Sequence, residues 1–328
     1  MGFLKDGQWV NQWYDTKTTS GRYQRKPSQF RNWITSDGSA GPSGNSGFKA
    51  EAGRYHLYVS WACPWAHRTL IFRALKGLEN IVSISSVNAI MADEGWTFDP
   101  GDDVIPDTVN GAQRLYEIYL KADPNYEGRV TVPVLWDKKT NMIVNNESSE
   151  IIRMFNIAFD NIGAKHGNYY PSKLRVEIDA VNDLIYRTIN NGVYRSGFAT
   201  TQEAYEEAVT AMFKTLDTFE DHLSRDRYLV GNTLTEADWR FLPTLVRFDA
   251  VYVGHFKCNL RRLADYPNLS GYMREMCQHP GIRDTIKVET TKLHYYGSHG
   301  TINPTGIVPM GPEVDFDSRH GRDQIPIA

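Results

Sequence analysis

A proline directly after a cysteine, at the junction of a strand-like run and a helix-like run, restricts the fold of this chain more than any other feature. The stretch Ser60-Trp61-Ala62-Cys63-Pro64-Trp65-Ala66-His67-Arg68 follows His56-Leu57-Tyr58-Val59, an apolar-rich run of strand character. After it, Leu70, Ile71, Ala74 and Leu75 recur at helical spacing. Proline suits the first helical position, where no backbone donor is needed. Cys63 is therefore predicted at a strand-to-helix turn, with first-turn amides and the positive end of the helix dipole facing the sulfur. That setting favours the thiolate, which is the nucleophilic form. A lone cysteine can equally be a buried, inert thiol. Here Pro64 next to it and Arg68 one turn on favour the reactive reading.

A length of 328 residues suggests two domains, and an apolar content of 41% is enough for real cores. The net charge of −3 gives no global basic field, so nucleic acid is not an expected partner. No apolar run approaches the roughly 18 residues of a membrane span, and Asp6, Gln8 and Trp9 break up any signal-peptide core. Cys63, Cys258 and Cys277 are too widely spaced for a disulfide or zinc framework, so no metal site is expected. A reducing cytoplasm suits such a chain.

Residues 1–54 read as an N-terminal extension whose scattered aromatics pack on the main body, with a Gly/Ser/Pro-rich loop from Ser36 to Gly47. Residues 55–165 alternate. The pattern predicts strands over 55–60, 81–87, 131–136 and 142–145, and helices over 64–76, 112–122 and 148–159. This βαβ then ββα order implies a mixed sheet with helices on its faces, an α/β arrangement. The connection from 88 to about 111, which holds Met91, Trp96 and Phe98, is long enough to be a lid or a clamp on the extension. Residues 166–296 read as an all-α domain. Its stripes include Leu174, Ile178, Val181 and Ile185, and later Met212, Leu216, Phe219 and Leu223. Thr235-Glu236-Ala237-Asp238 is a capping-box start for a helix in which Pro243 predicts a kink. A further helix covers about 266–278, and residues 297–328 read as a tail lying on the surface.

Three segments of the α/β domain carry chemistry. Cys63 is the first. In Arg129-Val130-Thr131-Val132-Pro133-Val134 a proline interrupts a strand pattern, and a cis Val132–Pro133 bond would leave the backbone of Val132 able to pair with an extended peptide. Asn146-Glu147-Ser148-Ser149 opens the next helix, whose amides and hydroxyl suit a carboxylate, while Glu147 suits an ammonium. Together they describe a site for a small zwitterionic peptide bearing a thiol.

These segments and the following all-helical domain resemble a glutathione transferase, which implies an α/β thioredoxin-like N-terminal domain and an all-α C-terminal domain, and Tyr228 to Arg240 resembles that superfamily's helical-domain signature. More narrowly, the whole chain resembles the bacterial glutathionyl-hydroquinone reductases, the Xi class. The shared features are Cys-Pro-Trp-Ala-His-Arg, Gly95-Trp96-Thr97-Phe98, Arg129 to Pro133, Asn190-Asn191-Gly192-Val193-Tyr194, and His299 through Asn303-Pro304-Thr305-Gly306. The resemblance implies that Trp96, Arg129, Val132, Glu147 and Ser148 hold glutathione, and that Tyr194 gives or takes a proton. It implies that Tyr252 and Tyr295 face the cysteine and help lower its pKa, with Tyr296 the alternative to Tyr295. It implies glutathione as co-substrate with no bound cofactor, glutathionyl-hydroquinones as substrates, and a homodimer.

The chemistry follows from the residue types. A carbanion is a poor leaving group, so a thiolate does not readily attack a thioether sulfur. Protonation of the ring carbon that bears the sulfur gives a ketone tautomer, and departure is then easy; phenol groups suit that proton traffic. Cys63 would hold a mixed disulfide that a second glutathione resolves. No second cysteine lies three residues on, and Cys258 and Cys277 read as packing residues. Conjugating transferases typically use a Ser or Tyr hydroxyl instead, and a scaffold protein has no need of this set.

Overall fold

The computed structural model describes residues 2–327. It contains two compact units. Unit 1 comprises Met1–Trp13, Pro27–Gly167 and Glu289–Ser298; unit 2 comprises Tyr14–Lys26, Asn168–Val288 and His299–Ala328.

The N-terminal extension is part of both units. Its first two strands, β1 (Phe3–Lys5) and β2 (Gln8–Val10), form a hairpin. In unit 1 the main sheet contains β3 (Tyr55–Val59), followed by helix α1 (Pro64–Leu75), β4 (Val82–Ser86) and α2 (Leu115–Ala122). Then come β5 (Gly128–Arg129), β6 (Val134–Asp137), β7 (Met142–Asn145) and α3 (Ser148–Ile157). The sheet order is β4-β3-β6-β7, with β3 and β4 parallel and the other pairs antiparallel. β1 pairs with both β2 and β5 in a second, three-stranded sheet.

The mixed sheet and its helices match the expected α/β arrangement, with one shift. The strand expected over 131–136 begins at Val134, because Pro133 has no N–H to give a ladder. The strand at the centre, β3, is buried along its whole length. Both of its faces are covered, so its polar side chains need internal partners. His56 has them in Ser83 Oγ at 2.7 Å and Ser85 Oγ at 2.9 Å; the Tyr58 hydroxyl donates to Asp107 at 3.0 Å.

The long connection after β4 is a clamp. Trp96 and Phe98 are buried, and Asp93 takes the Trp9 indole N–H through its carbonyl at 2.7 Å. Trp9 also stacks on Tyr116 with centroids 5.3 Å apart. Further along the extension, Phe30 and Asn146 exchange hydrogen bonds, and Arg31 pairs with Glu150.

Unit 2 is helical: α4 (Arg175–Ile185), α5 (Gly192–Gly197), α6 (Gln202–Leu223), α7 (Glu236–Arg247) and α8 (Pro267–Cys277). The expected capping box is present, with Asp238 accepting from the Thr235 N–H at 2.8 Å. Pro243 lies inside α7, which passes directly into a π-helical turn, Phe248–Tyr252.

Two features differ from the sequence reading. A last helix, α9 (Val288–Ser298), contributes Glu289–Ser298 to unit 1. Its buried positions are largely polar (Thr290, Thr291, Lys292, His294), so no apolar period announces it. The tail does not simply lie on the surface either, since Phe316 and Arg322 are buried. Arg322 donates to Glu275 at 3.1 Å and to the carbonyls of Leu223, Asp226 and Arg227, while Arg227 holds the other Glu275 oxygen at 2.6 Å.

Two stability predictions follow from these buried groups. Arg322→Ala leaves buried carbonyls and one carboxylate oxygen without their donor. It is expected to cost about 3 kcal/mol, read from the denaturant midpoint. His56 is depressed by burial to about 4 from 6.5, with Asp107 opposing. The unfolded chain therefore takes up this proton first as pH falls, so the contribution is full above 6.5 and lost towards 4. About 3 kcal/mol should disappear across that window, and His56→Gln, which does not titrate, should lose less in urea melts at pH 7 and 4.5.

Candidate active site

The sheet register gathers one end of unit 1. Tyr58 pairs with Val134, so the end of β3 lies beside the start of β6. Asn145 pairs with Leu135, so the end of β7 reaches the same edge. Val59 pairs in parallel with Ser86, bringing the end of β4 there too. The turn after β3 carries Cys63, the segment before β6 carries Val132, and the helix after β7 opens at Glu147 and Ser148.

Cys63 is the N-cap of α1, in extended conformation with φ −78 and ψ 120, and Pro64 occupies the first helical position. Its carbonyl accepts the first helical bond from the His67 N–H at 2.9 Å. As N-cap residue it sits at the positive end of the helix dipole. It is only partly covered. Sγ lies 3.6 Å from the Val132 carbonyl oxygen, and the Val132–Pro133 bond is cis, as expected from the sequence. Arg68 is buried with its guanidinium 4.6 Å over the Trp65 ring.

At the start of α3, Glu147 is the N-cap and accepts from the Ser149 N–H at 3.2 Å and the Ser149 hydroxyl at 2.9 Å. Ser28 of the N-terminal extension donates to its other oxygen at 3.1 Å. Ser148 is buried, and its Oγ has no hydrogen-bond partner among the described residues. A buried hydroxyl without a partner is costly, and a ligand oxygen at the helix start would satisfy it.

Arg129 is held by the extension: its guanidinium donates to the carbonyls of Gln12 at 2.5 Å and Trp13 at 3.1 Å, and lies 5.2 Å from the Phe3 ring. Trp96 stacks on His294 of α9 with centroids 4.8 Å apart, and His294 Nδ1 donates to the Ala89 carbonyl at 2.8 Å. Tyr295 is buried beside His294, whereas Tyr296 is partly exposed. Sequence reasoning missed Ser28 and His294. Neither sits in a recognisable motif, and each acts through an element distant in the chain.

Tyr194 (α5) and Tyr252 (the π-helical turn) lie together in unit 2 with ring centroids 6.4 Å apart. Cys258 and Cys277 are fully buried, and burial pushes both thiols well above their usual range. They are packing residues, as their sequence context suggested.

Family models match both parts of the chain. The glutathione S-transferase N-terminal domain covers residues 62–157, and the glutathione S-transferase C-terminal domain covers 202–275. The glutathionyl-hydroquinone reductase PcpF of Sphingobium chlorophenolicum is 59% identical over 95% of this chain and 96% of its own. The glutathionyl-hydroquinone reductase YqjG of Escherichia coli is 59% identical over 98% of this chain and 99% of its own. The chain belongs to the glutathionyl-hydroquinone reductase family of glutathione transferases. The glutathione-bound structure of YqjG superposes on this member with a TM-score of 0.91, at 55% identity over 98% of this chain and 99% of that one. The glutathione-S-transferase Xi of Phanerochaete chrysosporium gives 0.85, at 51% identity over 90% and 99%. Among the described residues of this reductase homologue, no His, Cys, Asp and Glu cluster is arranged for a metal ion, and no helix is long and apolar enough to cross a membrane.

Because the Ser148 hydroxyl makes no protein hydrogen bond among the described residues, the fold does not depend on it. Ser148→Ala is expected to leave thermal stability unchanged or raise it, by within about 1 kcal/mol. A calorimetric scan checks this.

Proposed function

We propose that this protein reduces glutathionyl-hydroquinones to hydroquinones with glutathione, through a mixed disulfide on Cys63. The observation that carries the reading is the placement of a partly exposed cysteine at a helix start, 3.6 Å from the carbonyl beside a cis proline. Glutathione pairs its peptide backbone with Val132, as an added strand does. Its γ-glutamyl carboxylate lies on Ser148 and the α3 amides, and its ammonium on Glu147. Trp96 and Arg129 complete the glutathione site. No bound cofactor takes part; glutathione is a co-substrate.

The reaction runs in two displacements. The substrate ring first takes a proton at the carbon that bears sulfur, becoming a ketone tautomer. Tyr194 is assigned this proton traffic, and Tyr252 and Tyr295 are assigned to favouring the Cys63 thiolate. The Cys63 thiolate attacks the glutathionyl sulfur, a sulfur–sulfur bond forms and the carbon–sulfur bond breaks. Its electron pair leaves with the ring as an enolate, which takes up a proton to give the hydroquinone. A second glutathione, as thiolate, then attacks the glutathionyl sulfur of the mixed disulfide. Glutathione disulfide departs and the Cys63 thiolate is restored. The carbon is reduced by two electrons and the two glutathione sulfurs are oxidised by two. Such a cycle suits a reducing cytoplasm, and we take the protein to act there as a homodimer.

Intact-mass spectrometry after incubation with a glutathionyl-hydroquinone tests the reading. A single glutathione adduct on Cys63, with hydroquinone released, is the expected result; an unmodified enzyme that forms only conjugates sinks it. Cys63→Ser should lose both adduct and reductase activity, by at least about 10³-fold. Ser148→Ala should raise KM for glutathione about tenfold with little change in kcat.

A further inference from the structure

Unit 2 contains a cluster of rings that includes a histidine–histidine hydrogen bond. Phe256 lies nearly parallel to Tyr252, at 5.7 Å and 12°, and to His299, at 6.0 Å and 14°. Its ring also meets Tyr194 at 5.6 Å and Phe198 at 4.9 Å. Gly197 makes room for it, since a Cβ there would stand 2.0 Å from the Phe256 ring. The His255 ring also meets Phe256, at 5.2 Å, and its Nε2 lies 3.0 Å from His299 Nδ1; each histidine is only 3% exposed. The His299 carbonyl also takes the N–H groups of Ile302 and Asn303, at 2.8 and 2.9 Å. The tail thus begins from a fixed ring.

We infer that His255 and His299 form a positioning pair, whose hydrogen bond sets the rings of Tyr252 and Tyr194 through Phe256; this rests on the catalytic roles proposed for those tyrosines. In such a bond one ring donates its N–H and the other offers a lone pair, so both tautomers and both ring planes are tied. Two buried imidazoles add little net stability over apolar groups of the same shape. What they add is direction. His299 cannot turn without breaking the bond, Phe256 stacks on His299, and Tyr252 stacks on Phe256. A small displacement of a proton-transfer group slows chemistry more than it weakens glutathione binding.

The test uses the full-length protein, with kcat and KM for glutathione measured on a glutathionyl-hydroquinone and melting followed in parallel. His255→Phe and His299→Phe keep a ring and remove the bond. Each should lower kcat about tenfold with KM within about twofold, and the double variant should be no slower than either single one, because one shared bond is lost. His255→Gln, whose amide reaches the Nε2 position, should keep most of kcat. If a Phe variant does not fold, His255→Asn replaces it: one methylene shorter, it should lose the same tenfold relative to His255→Gln. Folded variants with wild-type kcat, a Gln variant as slow as the Phe or Asn one, or a loss confined to KM would each overturn the inference. Tyr194→Phe and Tyr252→Phe separate the two levels. If they slow the reaction and the histidine variants do not, only the positioning pair is wrong; if they leave kcat untouched, the tyrosine assignment falls and the pair's role with it.

Discussion

The pairing of β3 with β6 is the constraint on which unit 1 depends. Because Tyr58 lies opposite Val134, the residue that leaves β3 and the residue that enters β6 share one edge of the sheet. A one-residue slip would turn each side chain of the strand to the opposite face. Such a slip is costly here because β3 is buried on both faces, with His56 and Tyr58 matched to particular hydroxyl and carboxylate partners. The contact between Cys63 and the Val132 carbonyl follows from that register.

Around this edge, the N-terminal extension does more than cover the core. Ser28 braces the N-cap carboxylate of Glu147, and the carbonyls of Gln12 and Trp13 hold the guanidinium of Arg129. α9 reaches the same unit from the far end of the sequence and stacks His294 on Trp96. Glu147, Arg129 and Trp96 are thus each held by a partner distant in the chain, which limits how far they can reorganise. Ser148 is the exception, a buried hydroxyl with no partner among the described residues. A satisfied serine there would have to give up a bond to bind; this one has none to give up.

Unit 2 obeys a different logic. Its helices follow the usual apolar stripes, yet the region around Tyr194 and Tyr252 is an aromatic cluster with two histidines buried in it. The π-helical turn Phe248–Tyr252 after α7 and the close approach allowed by Gly197 give the cluster its shape. π-Helical turns recur at functional sites because the extra residue re-aims a side chain.

Much of this was legible in the chain itself, for a physical reason. Local chemistry is written locally: Pro64 after Cys63 announces a helix start, Pro133 breaks a ladder, Thr235 with Asp238 caps a helix, and periodic apolar residues mark each core face. Those signals were enough to place the α/β part, the helical part, and Cys63 at the start of its helix. Only the tertiary structure decided what depends on distant partners. α9 buries threonines, a lysine and a histidine, so no hydrophobic period marks it, and its place in unit 1 comes from contacts with residues some two hundred positions earlier. Likewise Arg322 reads as tail charge until Glu275 is beside it, and His299 reads as a loop residue until His255 is. A hydrogen bond needs both its ends, and sequence position says nothing about the second when the chain must fold to bring it near.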